Sequence, residues 1–284
     1  MKKISFVNVS NLTLAFLLIA GFSGCGGGTG ASLGSSTTNG STSGGSTSGG
    51  STSGGSTSNG TTSTSSAEGL WQGTTSMSQN VTGIVFENGE YWFLYSIPGN
   101  SNAIGGVIQG NATSNAGNIA SSNGRDFNIT ELKLYDISSL QGTYTTKSKL
   151  SGEITYTDMP SSMVTFASTY NADYEKTPSL SALTGTYAGD AASSEGTASA
   201  ITNISSTGQI IGTDASGCKF TGTATPHSRG NVYNVTVTFS NEICTNSGTQ
   251  VSGVAYFDSS TQQLYSAALN STRTDGFLFI GTKE

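Results

Sequence analysis

The sequence has few charges and few basic residues in particular. Charged residues occupy 10% of its 284 positions, with 11 lysines and arginines against 17 aspartates and glutamates. Removal of residues 1–24, which hold Lys2 and Lys3 but no acid, leaves nine basic and 17 acidic residues, a formal charge of −8. An acidic surface without a basic stripe repels phosphate backbones. The composition therefore predicts that the protein has no nucleic-acid partner.

Histidine is almost absent. The single one, His227, lies between Pro226 and Gly230 in a segment that predicts a solvent-exposed turn. A catalytic triad or a typical zinc site needs further partners for it. The carboxylates scattered through the middle of the chain are Asp126, Glu131, Asp136, Glu153 and Asp158. Their spacing is typical of neither a glycosidase pair nor a calcium loop, and it favours a solvated surface. We therefore predict no enzymatic activity, no metal and no cofactor.

A long hydrophobic run is missing as well. The longest one near the N-terminus covers eleven positions from Leu12 to Phe22 and is interrupted by Thr13 and Gly21. A membrane-spanning helix needs about 20 apolar residues. A basic start at positions 1–3 followed by a short apolar run is instead typical of a secretory signal peptide.

The signal ends in Phe-Ser-Gly-Cys at positions 22–25. Small residues directly before a cysteine resemble the lipobox of bacterial lipoproteins, which usually opens with leucine where this chain has Phe22. The resemblance implies that residues 1–24 are removed and that Cys25 becomes lipidated, with palmitate among its acyl chains. Gly26 replaces the aspartate that often retains lipoproteins in the inner membrane. The resemblance thus implies a lipid anchor in the outer membrane of a Gram-negative bacterium.

The segment after the cysteine has almost nothing to bury. Residues 26–66 contain 37 Gly, Ser or Thr out of 41, no charge, and three consecutive copies of STSGG. Such a composition cannot offset the entropy of ordering. Residues 25–66 are therefore predicted to be the lipidated cysteine and a flexible tether. The tether would reach on the order of 35 Å on average and exceed ~130 Å when fully extended.

Residues 67–284 have a different composition and a strand-like pattern. Thr, Tyr, Val, Ile and Phe recur in short alternating runs divided by Gly, Asn and Ser, which is typical of an all-β protein. The clearest run is VYNVTVTFS at 232–240. Its apolar face holds Tyr233, Val235, Val237 and Phe239. Residues 84–96 predict a hairpin, in which Asn88-Gly89 would form a type I′ turn.

The β region also repeats itself. Gly73 aligns with Gly185 at an offset of 112 positions, and GGVIQGNATS at 105–114 aligns with GCKFTGTATP at 217–226 at the same offset. A further alignment, at an offset of 101, pairs LSGEITYTD at 150–158 with VSGVAYFDS at 251–259.

These alignments predict a tandem duplication with one unit at 67–177 and the other at 178–284. Each unit should hold six to eight short antiparallel strands. Such sheets close into barrels or fold into two-layered sandwiches, because both arrangements remove exposed edges.

Two architectural resemblances follow. The segment at 69–73, with Trp71 as a core residue, is similar to the start of avidin and lipocalin barrels. The lipidated cysteine, the Gly-rich tether and the tandem β-units resemble bacterial surface lipoproteins of the transferrin-binding-protein B and factor-H-binding types. The resemblance implies a binding role at the cell surface, and no binding residue of those families is carried over to this chain.

Cysteine is scarce, with three residues in the whole chain. Lipidation of Cys25 would leave Cys218 and Cys244, an even pair in an oxidising compartment. If 218–225 and 232–240 form a hairpin, the two cysteines lie at its open end. We therefore predict a structural disulfide between Cys218 and Cys244 within the second unit.

One strand is apolar on both faces. In Tyr91-Trp92-Phe93-Leu94-Tyr95 every position is hydrophobic, whereas a strand that lines one core should be polar on its other side. The second face must therefore meet the other unit, a ligand cavity inside a barrel, or a protein partner. The residues Tyr91, Trp92, Phe93 and Tyr95 are the candidate binding or packing surface.

These observations predict a non-catalytic binding module that is lipid-anchored to the bacterial envelope and displayed on a long tether. Its partner would be a protein, a glycan or a small apolar ligand. The alternatives are a structural or assembly component of the outer envelope and a hydrolase with an unrecognised site. The sequence does not decide between them, nor between a periplasmic and a cell-surface orientation.

Overall fold

The protein is described by a computed structural model, which covers residues 66–240 and 242–284. The secondary structure of these residues is almost entirely β-strand, which confirms the predicted all-β class, and they form two closed antiparallel β-barrels of eight strands each, the barrel alternative of the two that the sequence left open. The proposed signal peptide, Cys25 and the tether up to residue 65 lie outside the described residues.

The first barrel is built from eight of the first ten strands. Their bounds are β1 (Gly69–Thr75), β2 (Asn80–Val85), β3 (Glu90–Ile97), β4 (Asn100–Asn111), β5 (Thr113–Asn115), β6 (Asn118–Ser121), β7 (Arg125–Asn128), β8 (Lys133–Thr145), β9 (Lys149–Tyr156) and β10 (Met163–Tyr170). The ring order is β1-β2-β3-β4-β7-β8-β9-β10, and it closes where β10 pairs with β1. The hairpin of β5 and β6 lies outside this ring and pairs with β8. The first unit thus has ten strands, two more than the upper limit that we predicted.

The second barrel is a simple meander in which each strand pairs with the next. Its strands are β11 (Gly185–Ser193), β12 (Gly196–Ile204), β13 (Gln209–Asp214), β14 (Lys219–Pro226), β15 (Tyr233–Phe239), β16 (Gln250–Asp258), β17 (Gln263–Leu269) and β18 (Gly276–Lys283). Pairing of β18 with β11 closes the barrel. A 3-10 helix at Ala172–Glu175 and the helix α1 at Leu180–Leu183 connect the two barrels, and the boundary drawn at 177/178 falls between them.

The first strands of the two barrels begin alike. Trp71 donates its indole N–H to the carbonyl of Ala67 over 2.9 Å, and Tyr187 donates its hydroxyl to the carbonyl of Leu183 over 2.6 Å. Two positions before each aromatic residue lies a glycine with φ of +155°, Gly69 or Gly185. These strand starts therefore correspond at an offset of 116. The alignment of Gly73 with Gly185 was wrong by four residues. Each strand start contains two glycines, and the alignment matched the second glycine of one copy with the first glycine of the other.

Of the longer alignments, one holds and one does not. Segments 105–114 and 217–226 both contribute the fourth strand of their barrel, and Ile108 and Phe220 point into the two cores. Segments 150–158 and 251–259 contribute the seventh strand of one barrel and the sixth of the other. The second alignment was wrong because a short Ser-Gly pair between apolar residues recurs on different strands.

The hairpin of β2 and β3 is present, but its turn differs from the predicted type I′. Gly89 has φ of +86° and donates its N–H to the carbonyl of Phe86, whereas Asn88 does not have a positive φ. This arrangement is a tight turn followed by one left-handed residue, and it ends with a glycine bulge. Gly208 occupies the same place in the second barrel, with φ of +80° and a hydrogen bond from its N–H to the carbonyl of Ser205.

Candidate ligand site in the first barrel

The strand that is apolar on both faces lies between two cores. Tyr91, Phe93 and Tyr95 point into the first barrel. Trp92 and Leu94 point outwards and join a cluster that both barrels share. Of the three partners that the sequence left open, the second repeat packs against the outer face of β3. The inner face lines the interior of its own barrel.

The shared cluster is large and apolar. From the second barrel it receives side chains on β16, β17 and β18, among them Val254, Tyr256, Leu278 and Ile280, each no more than 6% exposed. Like β3, these three strands are apolar on both faces. Their outer faces join the shared cluster, and their inner faces fill the second barrel. The side chains of Trp92 and its neighbours are therefore buried in the contact between the barrels and do not form a free surface.

The interior of the first barrel has an accessible end, which we call the mouth. The mouth is the end at which β1, β3, β7 and β9 finish, and the opposite end, where β1 begins, is the base. At the mouth, the N–H of Ser76 donates to the carbonyl of Thr165 over 2.8 Å, which holds the β1–β2 turn against β10. Two methionines on this rim, Met77 and Met163, are 55% and 54% exposed.

Beneath the rim lies a cavity of about 70 Å³. Its walls are mainly hydrophobic and aromatic, with Phe93, Tyr95, Tyr156 and Phe166 on them. One carboxylate, that of Asp126, also lines it. The cavity exceeds the volume that a single water needs and is well below that of a drug-sized pocket. It therefore suits a small group or the tip of a larger molecule.

Asp126 is buried in the first barrel and is held by two tyrosines. Only 3% of the residue is exposed. The hydroxyl of Tyr95 donates to its Oδ1 over 2.7 Å, and the hydroxyl of Tyr156 donates to its Oδ2 over 2.8 Å. The prediction that Asp126 lies on a solvated surface was wrong. Tyr95 is the residue of the predicted surface that contacts it.

Burial dominates the electrostatics of this group. Loss of hydration raises the pKa of Asp126 to about 6, although the hydrogen bonds from Tyr95 and Tyr156 lower it. The negative charge of Glu131 adds to the rise. The pKa of Tyr95 is raised well above its usual value by burial and by the charge of Asp126. Near neutral pH the site is therefore a buried carboxylate among protonated phenols.

Glu131 belongs to the edge of the same site. It accepts a hydrogen bond from the hydroxyl of Tyr135, which raises the pKa of that tyrosine to about 12. The ring of Tyr135 meets that of Tyr156 edge-on, with centroids 5.7 Å apart. A chain of contacts thus connects the cavity carboxylate to the loop between β7 and β8.

Sequence reasoning missed Asp126 because its strand alternates in an unexpected sense. In Arg125-Asp126-Phe127 the apolar residue should face the core, but Phe127 packs in the cluster between the barrels. Asp126 is consequently turned inwards, opposite Ile108 of β4. The apolar outer face of β3 was the signal that could have shown that β7 also has its apolar residue on the outside, because strands of one sheet share the same outer environment.

The corresponding end of the second barrel carries the disulfide. Cys218 and Cys244 are joined, with Cα atoms 4.7 Å apart, at the open end of the hairpin of β14 and β15. This confirms the predicted disulfide. The bond borders a bowl of about 300 Å³ whose floor includes Phe220, Phe239 and Phe277.

His227 is less exposed than the sequence indicated. It follows β14, but its side chain is 19% exposed and its ring lies 4.4 Å from that of Phe86 in the first barrel. Its Nδ1 is 2.9 Å from the Asn234 side-chain oxygen, and its Nε2 is 3.4 Å from Glu87. The prediction of a solvent-exposed turn was therefore wrong, because the turn packs against the first barrel.

Within residues 66–240 and 242–284, no group of three or more His, Cys, Asp or Glu side chains is arranged to hold a metal ion. No helix in this part of the chain is long and apolar enough to cross a membrane. No protein-family model matches the chain, and no curated protein matches it significantly.

Proposed function

We propose that this protein is a non-catalytic binding module of a bacterial envelope, with the mouth of the first barrel as its binding site. Cys25 would carry the lipid that anchors it, and residues 26–66 would be the tether. The observation that carries the proposal is the cavity behind the exposed rim, in which one buried carboxylate lies among aromatic walls. A concave apolar site with a few polar groups is the usual form of a small-molecule site.

The direction of β1 supports this arrangement. The described chain enters the first barrel at its base, and β1 then runs for seven residues to the mouth. At about 3.3 Å per residue, the mouth lies roughly 20 Å from the point where a tether would attach. A lipid anchor on Cys25 would therefore hold the barrel by the end opposite its binding site.

The anchor is tested by metabolic labelling with radioactive palmitate. The wild-type chain should incorporate the label, and the Cys25→Ser variant should not. A Cys218→Ser variant is the matched control and should be labelled like the wild type, because its cysteine lies in the second barrel. An unlabelled wild-type protein would remove the anchor from the proposal.

The binding site is tested by placing a large charged side chain on the rim. Met77→Arg should abolish binding of any small molecule that the wild type takes from a panel of alkylamines, monosaccharides and fatty acids, as measured by ligand-observed NMR. Ile211→Arg is the control, because Ile211 is 64% exposed on the second barrel.

Loss of binding in both variants, or in neither, would contradict a site at this mouth. If the panel gives no binder and the protein purifies in a stoichiometric complex with envelope proteins, the assembly role is favoured instead.

A further inference from the structure

Asp126 is a buried anion to which no cationic side chain is paired in the part of the chain that the structure describes. The ion pairs found there involve Arg125, Lys147, Lys176, His227 and Arg229, and each has another carboxylate as its partner. The groups that act on Asp126 are Tyr95, Tyr156 and Glu131, which are neutral or negative. Burying an ionised carboxylate is costly unless hydrogen bonds and an opposite charge compensate it. The cavity therefore has a negative electrostatic potential that nothing on its walls neutralises.

The aromatic walls add to this preference. The rings of Phe93 and Phe166 lie with centroids 5.8 Å apart, and both line the cavity together with Tyr95 and Tyr156. The face of an aromatic ring carries negative charge density and attracts cations, most strongly where water is excluded. Rings around a carboxylate thus favour an organic cation over a neutral apolar molecule of the same size.

The carboxylate also has free hydrogen-bonding capacity. An ionised carboxylate has about four acceptor positions. Asp126 receives two hydrogen bonds, one on each oxygen, from Tyr95 and Tyr156. The remaining positions suit the N–H donors of an ammonium group, and charge-assisted bonds of this kind are roughly twice as strong as neutral ones.

We propose that the cavity of the first barrel binds a small organic ammonium group, with its nitrogen at Asp126 and its carbon atoms against the aromatic walls. This inference rests on the proposed function and specifies its ligand. The volume of about 70 Å³ admits an ammonium group and a few carbons, so the remainder of a larger ligand would lie at the rim by Met77. The ammonium belongs either to a free amine or to a lysine side chain of a peptide.

The test is a titration of the full chain, in its oxidised form at pH 7.5, with propylammonium and with 1-propanol. The two molecules are nearly isosteric and differ in charge. Binding is followed by calorimetry and by backbone amide shifts in two-dimensional NMR spectra. Propylammonium should bind at least about tenfold more tightly than 1-propanol, and its shifts should cluster around Tyr95, Asp126 and Tyr156. An acetylated, amidated Gly-Lys-Gly peptide is the arm that distinguishes a lysine from a free amine.

Two variants separate the local charge from the overall charge. Asp126→Asn should weaken propylammonium binding about tenfold or more. Glu153→Gln removes the same charge from an exposed position on β9 and should change binding less than twofold. A measurement on the wild type covers the case in which Asp126→Asn does not fold: saturating propylammonium should lower the pKa of Asp126, read from its side-chain carboxyl ¹³C shift.

The outcomes separate the two proposals. Equal binding of 1-propanol and propylammonium at this mouth would overturn the ammonium inference and leave the proposed binding site in place. Propylammonium binding that is unchanged in Asp126→Asn, or an unchanged Asp126 pKa, would overturn the inference as well. Absence of propylammonium binding up to 50-fold molar excess, together with a rim-dependent binder of another class, would also overturn the inference alone.

Discussion

The two barrels have the same strand plan but fill one interior position in opposite ways. In the first barrel, Ile108 of the fourth strand is paired with Asp126 on the adjacent strand. In the second barrel, the corresponding Phe220 faces Phe239, and both rings pack against Phe277. The second barrel solves the packing problem with aromatic rings, whereas the first keeps a charge in its interior. A buried charge is retained at a cost in stability, which is the usual property of a functional site.

The difference extends to the way in which each mouth is held. The second barrel has a covalent bond between Cys218 and Cys244 at its mouth, and Gly106 occupies the place of Cys218 in the first barrel. The first mouth is held by hydrogen bonds and packing, among them the bond from the Ser76 N–H to the carbonyl of Thr165 and the bond from the Thr165 N–H to the hydroxyl of Ser76. The second mouth thus has a covalent brace beside a bowl that is floored by phenylalanine rings, whereas the first mouth has no such bond and opens onto a cavity that contains a buried carboxylate.

The largest effect is expected where the barrels meet. Trp92→Ala should destabilise the protein by about 3–5 kcal/mol, because it removes a large side chain that is 4% exposed between the barrels. Urea unfolding, followed separately by NMR signals from each barrel, should change from one shared transition to two. Met163→Ala, at an exposed position, is the control and should leave the transition intact. A single transition at the wild-type midpoint in Trp92→Ala would mean that the barrels are not coupled through this cluster.

A similar but more local effect is expected from the disulfide. The double variant Cys218→Ser/Cys244→Ser should lose roughly 3–4 kcal/mol, the chain-entropy value for a loop of about 25 residues. Loss of the disulfide should lower the midpoint of the shared urea transition. Without urea, it should shift the amide signals of the second barrel and leave those of the first barrel at their positions. Reduction of the wild type should reproduce the shift. Equal movement of signals in both barrels would show that the brace is not confined to one of them.

The third effect depends on pH and belongs to the first barrel. The pKa of Asp126 is about 6 in the folded protein, above its usual value of 3.8, so the folded chain binds more protons between these values. The contribution of Asp126 to the unfolding free energy should therefore fall as pH rises from about 4 to 7, by up to about 3 kcal/mol. Asp126→Asn should remove this dependence, and Glu153→Gln should preserve it. A wild-type stability that rises over this range, with no change in Asp126→Asn, would contradict the buried charge.

The sequence was sufficient for the all-β fold class, with barrel and sandwich left open, because strand patterns are local. Alternation in VYNVTVTFS placed Tyr233, Val235, Val237 and Phe239 in the core, where they are found. The hairpin and the disulfide followed from turn position and chain order. The turn type at Asn88-Gly89 did not, because a dipeptide does not reveal how many residues the turn includes.

The site was beyond sequence reasoning because it depends on which face of a strand is inside. The identity of the inner face of β7 is set by the second barrel, which covers Phe127 and leaves Asp126 to the interior. The mixed pattern of β3 indicated a second apolar environment but not which part of the chain supplies it. Contacts between units that are more than 100 residues apart in the chain are invisible to a local pattern.

The central claim is that the two barrels are specialised, with ligand binding confined to the mouth of the first. The most direct measurement maps amide shifts on both barrels of the full chain during one propylammonium titration. The account predicts saturable shifts near Tyr95, Asp126 and Tyr156, and none around Phe239 and Cys244 at the second mouth. Shifts of equal size at both mouths, or shifts only at the second, would contradict it.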